Sequence, residues 1–193
     1  SGGFRRARLF FLRRRGTIAA RKQGGTAMEK QPQLHTIAPV YDENSRILIL
    51  GSFPSVKSRE AAFFYGHPQN RFWKVVSGVL GCDCPQTIEE KRTMLLAHHI
   101  ALWDVIASCR IEGSSDSSIR DAVPTDLSVL LAHAPIRAVF CNGQTAFRLY
   151  GRYQEQETGL PATLLPSTSP ANAAYSIPWL LESWRIILPA LQK

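Results

Sequence analysis

Four short apolar runs recur along the chain, and each stops at polar or turn-forming residues. They are RILIL (46–50), closed by Gly51; HIALWD (99–104); IRAVFCNG (136–143), closed by Asn142-Gly143; and ATLLPST (162–168). Continuous apolar runs of this length are how strands buried on both faces read. Helical spacing fills the intervals. After Asn70, apolar residues fall at 72, 75, 76, 79 and 80, one face of a helix. Thr87 with Glu90 forms a capping-box signal ahead of KRTMLLAHH, and Thr125 is a candidate cap for DLSVLLAHA. QTAFRLYGRY follows Gly143. The last segment, SIPWLLESWRIILPALQ, sets Leu180, Trp184, Ile187 and Leu191 on one stripe, with Pro178 in a first turn and Pro189 expected to end or kink the helix.

Strands alternating with helices predict an α/β protein, a three-layer α/β/α sandwich around a mostly parallel sheet. Right-handed crossovers would bring the strand C-termini to one edge, where ligands of such sheets bind. The residues that follow the strands are therefore the ones to inspect: GSFPS (51–55), WDV (103–105), CNG (141–143) and LPSTSPANA (165–173). One more segment belongs with them. FFYGHPQNRFW (63–73) is aromatic at five of its eleven positions, in a chain that is 9% aromatic overall, and its interior is turn-like.

The formal net charge of +8 would by itself suggest a nucleic-acid or membrane partner. Its distribution changes that picture. Eight of the 23 basic residues lie in residues 1–27, where there is no acid; the other 15 are balanced by all 15 acids. Residues 28–193 are thus formally neutral and are expected to form a single domain. The basic arm is open to three readings: a DNA-binding tail, an Arg-rich transit peptide, or a non-native leader ahead of Met28. Its apolar runs are too short to span a bilayer, and no membrane partner is expected. Cys82, Cys84, Cys109 and Cys141 stand at no zinc or iron–sulfur spacing. No metal and no cofactor are expected, and idle thiols suit a reducing cytoplasm.

The rim offers flat rings, amides, small hydroxyls and prolines, with few charges. It contains no P-loop and no nucleophile elbow. That inventory suits a flat, neutral heterocycle better than a phosphate or a metal.

Three motifs in register, LILGSFPS, FFYGHPQNRFW and LPSTSPANA, resemble the uracil-DNA glycosylase superfamily, and within it the DNA-deoxyinosine (hypoxanthine-DNA) glycosylases. The resemblance covers about residues 44–190. It implies a central four-stranded parallel sheet between helices, no metal, and a monofunctional enzyme acting on a base flipped out of DNA. In most branches an Asn or Asp that positions water follows the Gly of the first motif. Here Ser52 and Phe53 stand there, and the deoxyinosine branch uses the Asn of NRFW, which is Asn70.

The resemblance implies Asn70 as the catalytic residue, orienting water through its amide oxygen. Asn142 would read the lactam edge of the base. Phe64 or Tyr65 would stack on its ring, with Phe53 nearby. Ser167, Thr168 and Ser169 would grip the DNA backbone, with Ser55, Ser58, His67 and Arg71 as further DNA contacts, and Asn172 in a lesser part. Asp104 has three roles open: orienting water, binding the base edge, or a structural hydrogen bond at a strand end. Asn70 could equally be only a helix cap, and the aromatics only core. The expected partner is double- or single-stranded DNA carrying a deaminated base, and the expected state a monomer. Two alternatives accompany this reading. One is a uracil- or mismatch-specific uracil-DNA glycosylase; the other is a catalytically silent DNA-binding α/β module.

Overall fold

The structure, a computed structural model, describes residues 31–192; the basic arm at 1–27 lies outside them. Four strands form the central sheet: β2 (Ile47–Gly51), β3 (Ile100–Asp104), β6 (Ala138–Asn142) and β7 (Ala162–Leu165). Their order is β3-β2-β6-β7 and every pairing is parallel. This is the predicted sheet. The apolar runs are continuous because both faces are covered. Ile47 and Ile49 of β2 face a core shared with Phe72, Val76, Leu95, Leu180 and Trp184. Leu48 and Leu50 face a second core with Val139, Leu130, Leu149 and Tyr150.

Helices α2 (Phe72–Leu80), α3 (Ile88–Ala97) and α7 (Ile177–Trp184) supply the first of those layers; α4 (Ser128–His133) and α5 (Gln144–Tyr153) supply the second. Short helices α1 (Val56–Glu60), α6 (Glu155–Thr158) and α8 (Leu188–Leu191) complete the set among the described residues. The capping box is formed: Thr87 Oγ1 accepts from Glu90 N–H, and Glu90 accepts from Thr87 N–H. Thr125 does not cap α4. Its hydroxyl is buried without a hydrogen-bond partner, and Asp126 accepts from Ser128 N–H instead. The C-terminal stripe is not one helix. A 3₁₀ turn at Arg185–Ile187 separates α7 from α8, with Pro189 in the first turn of the latter.

A second sheet was not apparent from the pattern. β1 (Gln33–Leu34), β4 (Ile106–Arg110) and β5 (Arg120–Pro124) pair antiparallel in the order β1-β4-β5. β5 is half-exposed and polar and its pairing with β4 is irregular, so neither strand shows clean alternation. The loop between β4 and β5, with a 3₁₀ turn at Asp116–Ser118, returns toward the C-terminal edge of the central sheet.

Candidate active site

Because the central strands are parallel, Gly51, Asp104, Asn142 and Leu165 end at one edge; Gly51 pairs with Asp104 and Asn142 with Leu165. A cavity of about 490 Å³ opens there, within the size range of small-molecule sites, about 300–1,000 Å³. All four post-strand loops reach it, and so does the aromatic turn.

Three of the predicted residues form one hydrogen-bonded chain. Asn142 Nδ2 donates to Thr168 Oγ1 (2.9 Å), which donates to Asn70 Oδ1 (3.1 Å). Asn142 Oδ1 accepts from Thr168 N–H (3.0 Å). Asn70 Oδ1 also accepts from Phe72 N–H (3.0 Å). A backbone N–H only donates, so these bonds fix which end of each amide is oxygen. Asn70, one residue ahead of the Arg71 N-cap, therefore both binds the first N–H of α2 and borders the cavity. The expectation that its amide oxygen orients water needs correction, because both lone pairs are engaged. The NH₂ end is the one left for the cavity. Asn142 likewise keeps one amide hydrogen beyond those bound to Thr168.

Thr168 is fully buried and acts as the hub of that chain rather than as a backbone grip. Arg71 also differs from expectation. Its guanidinium donates to the carbonyls of Ser169 and Asn172 (both 2.9 Å), of Thr168 (3.4 Å) and of Tyr175. Four of its five N–H donors thus hold the 168–175 loop, which leaves little for a phosphate. Ser167 and Ser169 border the cavity, but their hydroxyls accept from Ser169 and Ala171 N–H in turn. Asn172 donates to Ser167 O, closing the loop on itself.

The first-loop serines are also structural. Ser55 caps α1, accepting from Ser58 N–H. Ser58 is buried at the cavity border, and its hydroxyl accepts from Gly66 N–H (3.1 Å). His67 borders the cavity with Nδ1 accepting from Gln69 N–H.

The aromatic turn is mainly core. Phe64 is 2% exposed and packs edge-on against Phe63, with the His35 ring 6.0 Å away. Tyr65 stacks on Phe72 with centroids 3.9 Å apart. Phe53 is 7% exposed, with His35 edge-on and the Arg59 guanidinium over its ring at 5.6 Å. Phe53, Phe64 and Tyr65 all border the cavity. The rings crowd this turn because they pack on one another.

Sequence reading named Asp104 with three roles open but missed His35 beside it and the wall that carries Asp116. Asp104 is 4% exposed and accepts from His35 Nε2 at 2.9 Å. His35 Nδ1 accepts from Ile37 N–H, which fixes the proton on Nε2. His35 lies far upstream, at a β1 that left no pattern. Asp104 Oδ1 packs against Gly51, where a Cβ would collide with it and would lie 3.1 Å from the Tyr65 hydroxyl. That hydroxyl is buried and forms no hydrogen bond of normal geometry. Burial, and then the Asp104 carboxylate, push its pKa up, opposed by the nearby Asn142 amide.

Asp116 arrives from the β4–β5 loop. Its Oδ1 accepts from Ser52 Oγ at 2.8 Å, and it borders the cavity. Burial holds its carboxyl above the usual range; the Ser52 hydrogen bond opposes this and the Asp104 charge adds to it. Its segment, GSSDSS, reads as an ordinary polar loop. Among the described residues no helix is long and apolar enough to cross a membrane.

Comparison with known proteins agrees with this geometry. The model of the uracil DNA glycosylase superfamily matches residues 38–186. A protein of Methanosarcina acetivorans named hypoxanthine DNA glycosylase is 39% identical over 141 residues, 71% of this chain and 87% of its own. One of the same name from Methanosarcina barkeri is 36% identical over 138 residues, 69% and 85% of the two chains. A solution NMR structure of a uracil DNA glycosylase candidate from Methanosarcina acetivorans superposes with a TM-score of 0.70 at 35% identity, covering 81% of this chain and 97% of that one.

Proposed function

This chain belongs to the uracil DNA glycosylase superfamily, and from that premise we propose that it removes hypoxanthine from deoxyinosine in DNA by hydrolysing the N-glycosidic bond. The observation that carries the reading is the Asn142–Thr168–Asn70 chain, which locks three loops around a cavity floored by a carboxylate. A base inside a duplex cannot reach such a site, so the nucleotide must be flipped out of the stack.

The lactam edge of hypoxanthine offers an N1–H donor beside an O6 acceptor. Asp104 as a carboxylate only accepts, and the remaining Asn142 N–H donates. Adenine presents the reverse order and would set its N1 lone pair against the carboxylate. Uracil and xanthine share the lactam N–H and are the competing deaminated bases; guanine and thymine share it too, so this edge by itself rejects only adenine and cytosine. His35 fixes the Asp104 carboxylate in place, and Phe53, Phe64 and Tyr65 bound the ring.

Bond cleavage leaves a sugar with oxocarbenium character and a departing base anion. Preorganised donors along the base edge stabilise that anion. Asn70 holds the attacking water through its amide NH₂. The reading is direct hydrolysis, without a Schiff base or strand cleavage; among the described residues that border the cavity none is a lysine. The enzyme is read as a monomeric glycosylase unit at residues 28–193, acting on double- or single-stranded DNA in the cytoplasm.

Duplexes carrying one deoxyinosine, deoxyuridine or deoxyxanthosine, incubated with protein and then treated with alkali, test this. Strand scission at inosine well ahead of uracil is expected. Preference for uracil would reassign the substrate, and tight binding with every base retained would leave only a DNA-binding module. Asn70→Ala and Asn70→Asp separate catalysis from capping, because Asp caps as well as Asn while lacking the NH₂. Both are expected to lose excision by ~100-fold or more, the scale of a positioned catalytic group. Only Asn70→Ala should lose stability, by about 1 kcal/mol, measured by thermal melting.

A further inference from the structure

We propose that Asp116 is a catalytic residue of this site: its carboxylate accepts a hydrogen bond from the attacking water and takes a proton from it as the sugar–oxygen bond forms. The inference rests on the glycosylase reading above and adds to it a group outside the three sequence motifs.

Asn70 cannot itself accept a hydrogen bond from the attacking water. Its amide oxygen already accepts from Phe72 N–H and from the Thr168 hydroxyl. Two lone pairs are filled, so a water on this amide finds only a donor. The hydroxyls of Ser167 and Ser169 each already accept from one backbone N–H, Ser55 caps its helix, and none of these hydroxyls is basic enough to take a proton from water. A water held by Asn70 still needs an acceptor for its own hydrogens. The cavity provides two carboxylates. Asp104 is tied to His35 and packed against Gly51 at the floor. Asp116 is the other, and its one resolved partner is the Ser52 hydroxyl. An ionised carboxylate accepts about four hydrogen bonds, so Asp116 retains acceptor capacity facing the cavity.

The place of this carboxylate is informative. Ser52 immediately follows Gly51 at the end of β2. Its hydroxyl is not a base, but it holds a carboxylate contributed by a loop 64 residues downstream. The β4–β5 loop is itself tied to the rim, with Ser114 Oγ accepting from Val56 N–H (3.0 Å).

The water oxygen bonds to C1′ while the C1′–N9 bond breaks. The bonding pair leaves with hypoxanthine as its anion. Asp116 takes one water proton, then releases it to the departing base or to solvent. The products are neutral hypoxanthine and an abasic deoxyribose. Before the proton moves, the same negative charge stabilises the sugar cation.

Because the ionised form is the active one, the rate should fall as pH drops through the Asp116 pKa. Burial places that limb above the usual carboxylate range, with the Asp104 charge adding to the effect. Tyr65 and Cys109 are the other titratable groups that sense Asp116, and both are neutral at these pH values.

Single-turnover excision of inosine, followed from acid to neutral pH with duplex affinity by fluorescence anisotropy, tests the proposal. Asp116→Asn should lower the rate by ~100-fold or more, keep duplex affinity within about threefold, and abolish the acid limb. Ser52→Ala removes a hydrogen bond that favours the ionised form, so its limb should move to higher pH. This second variant remains informative if Asp116→Asn does not fold. An Asp116→Asn rate within about threefold of wild type, or an acid limb unmoved by Ser52→Ala, overturns the role of Asp116 alone. Wild-type protein that releases none of the three deaminated bases overturns the glycosylase reading and this role together.

Discussion

The wall formed by residues 165–175 and the wall formed by residues 111–119 face the same cavity but hold their polar groups differently. In the first, Thr168 links two amides from other elements, and Arg71 ties four carbonyls from about a hundred residues away. In the second, the serines bond mainly to near neighbours: Ser118 Oγ accepts from Glu112 N–H and donates to Ser115 O, and Ser115 meets Ser117. The first wall has no charge of its own and is stapled to the core. The second carries Asp116 into the cavity on a locally supported loop. Rigid placement and chemical reactivity are thus divided between the walls. A wall of amides and hydroxyls tied to one another shapes the cavity, whereas taking a proton from water needs a base.

The largest effect should come from the floor the two walls share. In Gly51→Ala the new Cβ collides with Asp104 Oδ1, and Asp104 is held by His35, so it cannot retreat without breaking that bond. Excision should fall below detection, with a stability loss of about 1–3 kcal/mol from overpacking, read by alkali cleavage and urea unfolding. Unchanged excision would mean that the floor carboxylate does not contact the base.

Arg71→Ala attacks the stapled wall. Charged hydrogen bonds contribute about 1.5–3 kcal/mol, and the loss here is expected near the top of that range. Duplex affinity and excision should drop together as the 168–175 loop loosens. If affinity alone fell and the melting temperature held, Arg71 would be a phosphate contact after all. Thr168→Val keeps the shape but removes one hydrogen bond from each amide, leaving Asn142 Nδ2 without its acceptor and Asn70 Oδ1 with Phe72 N–H alone, at a cost of about 1–3 kcal/mol. Its excision rate should fall more than its affinity, because both amides are held less firmly. Ser118→Ala, in the locally bonded wall, should have the smallest effect, about 0.5–1.5 kcal/mol with excision within about threefold of wild type. A Ser118 effect as large as that of Arg71 would erase the distinction between the walls.

Some of this was legible from residues 46–50 or 136–143 alone. A strand buried on both faces must be apolar at every position, so β2 and β6 announced themselves, as did the capping box at Thr87 and Glu90. β4 and β5 did not, since one is interrupted by irregular pairing and the other is exposed and polar. Asn70 and Asn142 could be picked out as amides on the correct rim. That Thr168 would occupy the oxygen of one and both ends of the other could not. The aromatic turn misled for a related reason: ring count shows that rings will cluster, while their mutual packing decides which faces remain bare.

The amino-acid order by itself determined the parallel sheet, its two covered faces and the edge where the strand ends gather, because periodicity and capping are local and survive being read one window at a time. Only the tertiary structure decided which acceptors in the cavity are filled and which are open. Ser52 meets Asp116 across 64 positions, His35 meets Asp104 across 69, and Thr168 meets Asn70 across 98. A hydrogen bond saturates a specific atom, and the partner that saturates it is selected by proximity in the folded chain, which no spacing along the sequence records.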